Sequence, residues 1–171
     1  MCALVCEQDV NIKTAEAVTL VGTFQQQLDA DSLSDMQAAE LRWLCESLIL
    51  AKRAAASVLV HAHGKTVARF GVMGTAVAVQ ADAPILAKAL SAANSNRETY
   101  LPAVQNLPGK VEFTYLPENV QAVLLLPILD GQGMVVVGAS QARAFTPKDI
   151  AYYKAACERA AACLTSLDNK V

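Results

Sequence analysis

The chain has 171 residues, of which 54% are hydrophobic and 18% charged, and its formal net charge is −2. That composition excludes a disordered chain, and the mixed charges leave no basic footprint for nucleic acid. A chain of this length suits one domain that buries about 70% of its unfolded surface.

Residues 1–10 are expected to form a tail and residues 11–171 a single domain. The opening Met1-Cys-Ala-Leu-Val-Cys6 is apolar but has no basic start and no cleavage site, so it is not read as a signal peptide. Residues 11–28 place Ile12, Ala15, Val18 or Thr19, Gly22 and Leu28 at roughly helical spacing, which predicts a first helix. After a break at 29–33, Ser34 and Gln37 form a capping box for a second helix running to about Arg53. Leu41, Leu44, Leu48, Ala51 and Ala55 make its apolar stripe, with Trp43 beside it as a core anchor.

Residues 56–62 read as a strand, His63-Gly64-Lys65 as its turn and residues 66–72 as the returning strand. A bend at Gly71 and Gly74 precedes a short strand over 75–79. Asp82 is expected to cap a helix with Pro84 in its first turn, carried by Ile85, Leu86, Ala89, Leu90 and Ala93 to about Asn94. Residues 97–104 read as extended or irregular. Pro108-Gly109 is a turn, and Val111, Phe113 and Tyr115 alternate against Glu112 and Thr114 as a strand over 110–115.

The clearest stretch is the last. Two runs rich in Val, Ile and Leu, 120–129 and 134–138, flank Asp130-Gly-Gln-Gly133 and predict a hairpin. Thr146 caps a final helix, Pro147 suits its first position and Asp149 favours the positive end of its dipole. Phe145, directly before the cap, is placed to staple the chain into the helix. Ile150, Tyr153, Cys157, Ala160, Ala161 and Leu164 fall on one face of it. The chain thus reads as an α+β domain with an antiparallel β-sheet and N- and C-terminal helices packed on one face.

Gln121-Ala-Val-Leu-Leu-Leu-Pro-Ile128, Val135-Val-Val-Gly138 and Arg143-Ala-Phe-Thr-Pro-Lys-Asp-Ile150 resemble the end of a GAF domain. Tyr115-Leu-Pro-Glu-Asn119, Gln121-Ala-Val123 and Arg143-Ala-Phe-Thr-Pro147 are similar to the family called cofactor assembly of complex C. The resemblance implies an assembly factor that helps attach a haem to the cytochrome b/f complex of oxygenic photosynthesis. Members of that family carry membrane spans; the longest apolar run here, 122–129, is far below the length a bilayer requires. With no strongly basic helix face either, no direct membrane insertion is expected.

A search for chemistry finds no catalytic motif. There is no G-x-S-x-G, Walker loop or G-x-G-x-x-G, and Gly131-Gln-Gly133 is a hairpin turn. The cysteines are Cys2, Cys6, Cys45, Cys157 and Cys163, an odd number without C-x-x-C, which fits a reducing compartment such as cytoplasm or chloroplast stroma. Cys45, Cys157 and Cys163 fall on apolar helix faces and read as inert. His61 and His63, joined by Cys2 and Cys6, would give a metal set, but a strand-end pair beside a turn is the commoner reading. The resemblance implies no usual GAF ligand either. A bilin-type Cys-His pair, the cyclic-nucleotide pattern Asn-Lys-x-x-Phe-x-x-x-Asp-Glu and the reactive cysteines of sulfoxide-reducing members are all missing, with no cysteine between Cys45 and Cys157.

The expected function is a non-catalytic interaction or assembly module without cofactor or metal. Ala151, Ala155 and Ala162 would present the last helix, packed on the first through Ala15, Ala17, Val18 and Gly22, to a protein partner or a second copy. The alternative is a small-molecule sensor with Arg69, Arg97, Tyr100 and Tyr115 as polar contacts. A thiol-dependent reductase ranks last.

Overall fold

The computed structural model describes residues 15–75 and 78–165. Its elements are β1 Thr23–Leu28, α1 Asp35–Ala51, β2 Ala55–Ala62, β3 Lys65–Met73, α2 Pro84–Leu90, β4 Thr99–Leu101, β5 Ala122–Ile128, β6 Gly133–Ala139 and α3 Pro147–Leu164. β2, β5 and β6 form where Val, Ile and Leu are concentrated, and the two long helices form where a capping box precedes an apolar stripe. The strands make one six-stranded antiparallel sheet in the order β1-β3-β2-β6-β5-β4. His63 and Gly64, both at positive φ (50° and 77°), turn β2 into β3, as a two-residue hairpin requires.

β5 and β6 lie inside the sheet and show no polar alternation because both their faces are covered. On one face Leu124, Leu126, Val135 and Val137 pack with Leu41, Leu44 and Leu48 of α1 and with Tyr153, Cys157 and Ala160 of α3. On the other, Val123, Leu125, Met134 and Val136 pack with Leu86 of α2 and with Val104, Phe113 and Tyr115 from the following turns. The two long helices therefore share one face, while the shorter pieces cap the opposite one.

α1 and α3 run antiparallel, and each satisfies the other's free carbonyls. Ser34 and Gln37 form the capping box of α1, and the Gln37 amide then donates to the Cys163 carbonyl at 3.1 Å in the last turn of α3. In the last turn of α1 the Leu48 carbonyl accepts from the Tyr153 hydroxyl at 2.8 Å. The last four carbonyls of a helix have no partner within it, and each of these bonds satisfies one of them.

Several expectations are corrected. Of the helix predicted over 11–28, residues 11–14 lie outside the described residues, 15–22 are extended and 23–28 are β1. Val18, Thr19, Val21, Thr23 and Phe24 favour extended backbone, and β3 offers Thr23–Leu28 a ladder. The Ala15, Ala17, Val18 and Gly22 face thus makes no helix pair with α3; α1 takes that place. Asn119 instead holds the extended segment: Val21 N donates to its Oδ1, and its Nδ2 donates to the Thr19 carbonyl, both at 2.8 Å.

Residues 110–115 are not a strand. Pro108–Phe113 winds into 3-10 turns, leaving Val111 70% exposed while Phe113 and Tyr115 turn into the core. Thr75, Ala78 and Val79 are not in a strand, and 76–77 lie outside the described residues. Ala83 rather than Asp82 precedes α2, with no side-chain cap, and the helix ends at Leu90. Part of 97–104 forms β4. Trp43 is 38% exposed, because it lies beside the buried Leu41–Leu44–Leu48 stripe and not in it. Residues 1–10, with Cys2 and Cys6, lie outside the described residues.

α3 begins as its residues dictate. The Thr146 hydroxyl accepts from Asp149 N, Asp149 Oδ2 accepts from Thr146 N at 2.8 Å, and Lys52 Nζ reaches the same oxygen at 2.7 Å. Burial pushes the Asp149 carboxyl up, but the bonds from Lys52 and Thr146 outweigh it and hold the group below its ordinary value. A depressed carboxyl contributes stability that is fully present above its unfolded pKa and lost as pH falls through the folded one. Lys52→Met is expected to cost about 0.5–1 kcal/mol at neutral pH and to move acid unfolding to higher pH. An acid titration followed by circular dichroism that superimposes on wild type would contradict this.

Candidate functional site

Two surfaces carry side chains that the fold itself does not consume. The first is the outer side of α1 and α3. Met36, Trp43 and Leu50, spaced seven apart, fall on one stripe of α1 and are 75%, 38% and 83% exposed. On α3, Ala151, Ala155 and Ala162 are all exposed beside Tyr152. Arg159 ties the helices together: its guanidinium lies 4.1 Å from the Trp43 ring centroid and its Nε donates to Glu40 at 2.8 Å. The result is an apolar strip with one clamped cation on its line.

The second surface lies on the opposite face of the sheet. Arg69 on β3 is only 4% exposed, and burial holds its guanidinium below its ordinary pKa. Its Nη2 makes one long bond, 3.4 Å, to the Gly74 carbonyl, and its Nε has no protein partner. Gly74 N in turn donates to the Tyr115 carbonyl at 3.0 Å. The Tyr115 hydroxyl is buried and has no protein acceptor, and burial with the charge of Glu112 raises its pKa. His61 on β2 shares this face, with a buried, unpartnered Nδ1, and burial lowers its pKa. A Cβ on Gly74 would fall on the Leu116 carbonyl oxygen, so the junction holding Arg69 near Tyr115 requires glycine.

The four pocket candidates from the sequence are therefore divided. Arg69 and the backbone of Tyr115 are linked through Gly74, whereas Arg97 is exposed. Tyr100 belongs to the α1/α3 side, where its hydroxyl accepts from Phe145 N at 3.0 Å. Hollows on the described residues lie elsewhere. One of about 380 Å³ lies between the end of β5 and α3, beside Lys154 and Ala162; another, of about 480 Å³, lies between Met73, Phe113 and Leu116. Neither is lined by any of the four. The stripe of Met36, Trp43 and Leu50 is not among the sequence candidates; its seven-residue spacing is the signal that could have found it.

Among the described residues, no group of three or more His, Cys, Asp or Glu is placed to hold a metal ion, and no helix is long and apolar enough to cross a membrane. Cys45 and Cys157 are buried between α1 and α3, and Cys163 is half-buried. Burial, with the nearby charge of Glu158, pushes the Cys157 thiol up to about 12; burial and the neighbouring Cys157 push Cys45 further in the same direction. The thiolate is the reactive form. In a neutral-pH titration with a thiol reagent, Cys45 and Cys157 should stay unmodified until the protein unfolds; rapid labelling of either in the native state would refute this.

The chain matches the family model for cofactor assembly of complex C, CCB2/CCB4, over residues 1–160. It belongs to this family. A relative within the family, the chloroplastic cofactor assembly of complex C protein CCB4 from Arabidopsis thaliana, is 30% identical over 141 residues. That match covers 77% of this chain and 47% of the relative, so the chain spans about half the length of the curated relative it matches. In fold, this family member is similar to the type II free methionine-R-sulfoxide reductase from Thermoplasma acidophilum, with a TM-score of 0.58 and 18% identity over 78% of this chain and 96% of that one. At that identity the likeness concerns architecture and carries no activity.

Proposed function

We propose that this chain is a non-catalytic, GAF-like assembly factor of a photosynthetic complex, acting in a reducing compartment by holding a protein partner against α1 and α3. The family supports the assembly role, and the exposed stripe of Met36, Trp43 and Leu50 is the observation that carries the mode of action. A surface helix of a free-standing domain has one apolar stripe facing the core and polar residues outside. α1 already buries Leu41, Leu44 and Leu48, so the outer stripe is surplus to its own fold. The small Ala151, Ala155 and Ala162 beside it would let a helix of the partner approach closely. Such a partner presents an amphipathic helix; attachment of the cofactor would then follow from where the partner is held. Leu50→Glu and Ala155→Glu should leave the fold intact and abolish co-purification of complex subunits or their other assembly factors, read by light scattering and mass spectrometry. Unchanged co-purification in both variants would refute the reading.

A second reading, binding of a small anionic molecule on the α2 face, is favoured by the buried Arg69. A guanidinium taken out of water without an acid beside it is unfavourable unless something pairs with it. Arg69→Met should then stabilise the free protein by about 1–3 kcal/mol while removing the site. A destabilised variant would count against this second role.

A further inference from the structure

Among the described residues β1 is an outermost strand of the sheet, and the directionality of its outer edge can be read from one bond. Asp29 N donates to the Val67 carbonyl at 3.0 Å, continuing the β1–β3 register one residue past the strand. In an antiparallel ladder the backbone groups of alternate residues point to alternate sides. Those of Gln25, Gln27 and Asp29 therefore face β3, and those of Phe24, Gln26 and Leu28 face outward. The strand Thr-Phe-Gln-Gln-Gln-Leu holds no charge, no proline and no bulge, so it lacks the devices that keep sheet edges apart. The opposite edge is different: β4 has only three residues and follows Glu98, which is paired with Lys154.

We infer that β1 pairs with β1 of a second copy, antiparallel, about a two-fold axis through Gln26, joining two sheets into one. Only this centre uses the whole strand. It sets Gln26 opposite Gln26, and Phe24 and Leu28 opposite Leu28 and Phe24 of the second copy, so every outward-facing backbone group finds a partner. A centre at Gln25 or Gln27 would set Leu28 or Phe24 opposite a residue beyond the end of the other strand, and one at Phe24 or Leu28 would leave half the strand unpaired. The side chains agree with the backbone. Phe24 and Leu28 lie on the helix face of the sheet, opposite Val72 and Ala68, and Phe24 is 67% exposed in the single chain. Pairing would lay each Phe24 against a Leu28. On the other face Gln25 meets Gln27, and side-chain amides can bond across the pair. Asp29 comes opposite Thr23 and Asp31 opposite Val21, so no acid faces an acid. The same surface patch is used on both copies, as a closed two-fold dimer demands. It lies across the sheet from β5, against which α3 packs, and so is separate from the α3 part of the surface proposed for a partner, whereas α1 packs on β3 next to it.

The test is the mass of the full chain by sedimentation velocity over a range of concentrations. Wild type is expected to dimerise reversibly. Gln26→Pro removes an outward N–H and leaves the bonds to β3 in place, since proline is tolerated on an edge strand whose N–H faces solvent. It should weaken dimerisation on the order of tenfold or more with an unchanged circular dichroism spectrum. Phe24→Lys, which alters no backbone group, should do the same and serves if the proline variant does not fold. Ala155→Glu on α3 should leave the dimer intact. A wild type that is monomeric throughout, a dimer lost through Ala155→Glu but kept in Gln26→Pro and Phe24→Lys, or an edge that takes only a strand of another protein would overturn the proposal.

Discussion

Phe145→Ala is expected to cost about 3 kcal/mol or more, a large part of the stability of a domain of this size. Its ring is almost wholly buried and meets two others edge-to-face, Tyr100 with centroids 5.8 Å apart and Tyr153 at 5.4 Å. Its backbone N–H donates to the Tyr100 hydroxyl, so β4 and the start of α3 are fixed together at this point. The residue stands immediately before the cap of α3, and Ile150, one turn inside the helix, packs against the same core. That is the arrangement of a hydrophobic staple. Truncation would remove the two aromatic contacts and leave a cavity beneath the helix start. Thr146→Ala, which removes only the cap, should cost about 1 kcal/mol. Denaturant melts in which the two variants lose equal stability, or neither loses any, would contradict this assignment.

Gly71→Ala should be comparably damaging, by about 2–5 kcal/mol, for a reason of backbone geometry. Gly71 has φ +89°, where a side chain is strained, and an added Cβ would fall on the carbonyl oxygen of Ala56 in the neighbouring chain segment. It sits in β3 between β1 and β2, paired with Gln25 on one side and Ser57 on the other. Neither neighbour can yield without breaking its own ladder. Gly64→Ala is the control, since that glycine also has positive φ but open space around it. It should lose only the conformational part, about 1 kcal/mol. Thermal melts that rank Gly64→Ala as the worse of the two would refute the steric argument.

What can be read from the sequence is local. The Ser34–Gln37 and Thr146–Pro147–Asp149 caps, the His63-Gly64 turn and the β5–β6 hairpin all rest on residues a few positions apart, and each forms as expected. β1 is not legible in this way because its structure comes from pairing with distant β3; the spacing of Ala15, Val18 and Gly22 imitates a helix that nothing stabilises. Val111, Phe113 and Tyr115 imitate a strand in the same way, yet Pro108 begins 3-10 turns that bury only the last two. At the candidate site, Ala151, Ala155 and Ala162 of α3 are exposed small residues. Trp43 reads as core because large aromatics are usually buried, and this conceals the stripe it shares with Met36 and Leu50. The link between Arg69 and the backbone of Tyr115 depends on the chain returning past Gly74, which no short-range pattern reveals.

The central claim, that the outer side of α1 and α3 holds a partner of cofactor assembly, is tested most directly by site-specific photocrosslinking in a photosynthetic host. A photoreactive residue would replace Leu50, Ala155 or, as a control, the exposed Val111 in the 3-10 turns capping the opposite face of the sheet. Crosslinks are expected from positions 50 and 155 to a subunit of the complex or another factor of its assembly, lost when Trp43→Glu is added, and none to that polypeptide from 111. Absence of any such crosslink from 50 and 155, or equal capture from 111, would contradict it.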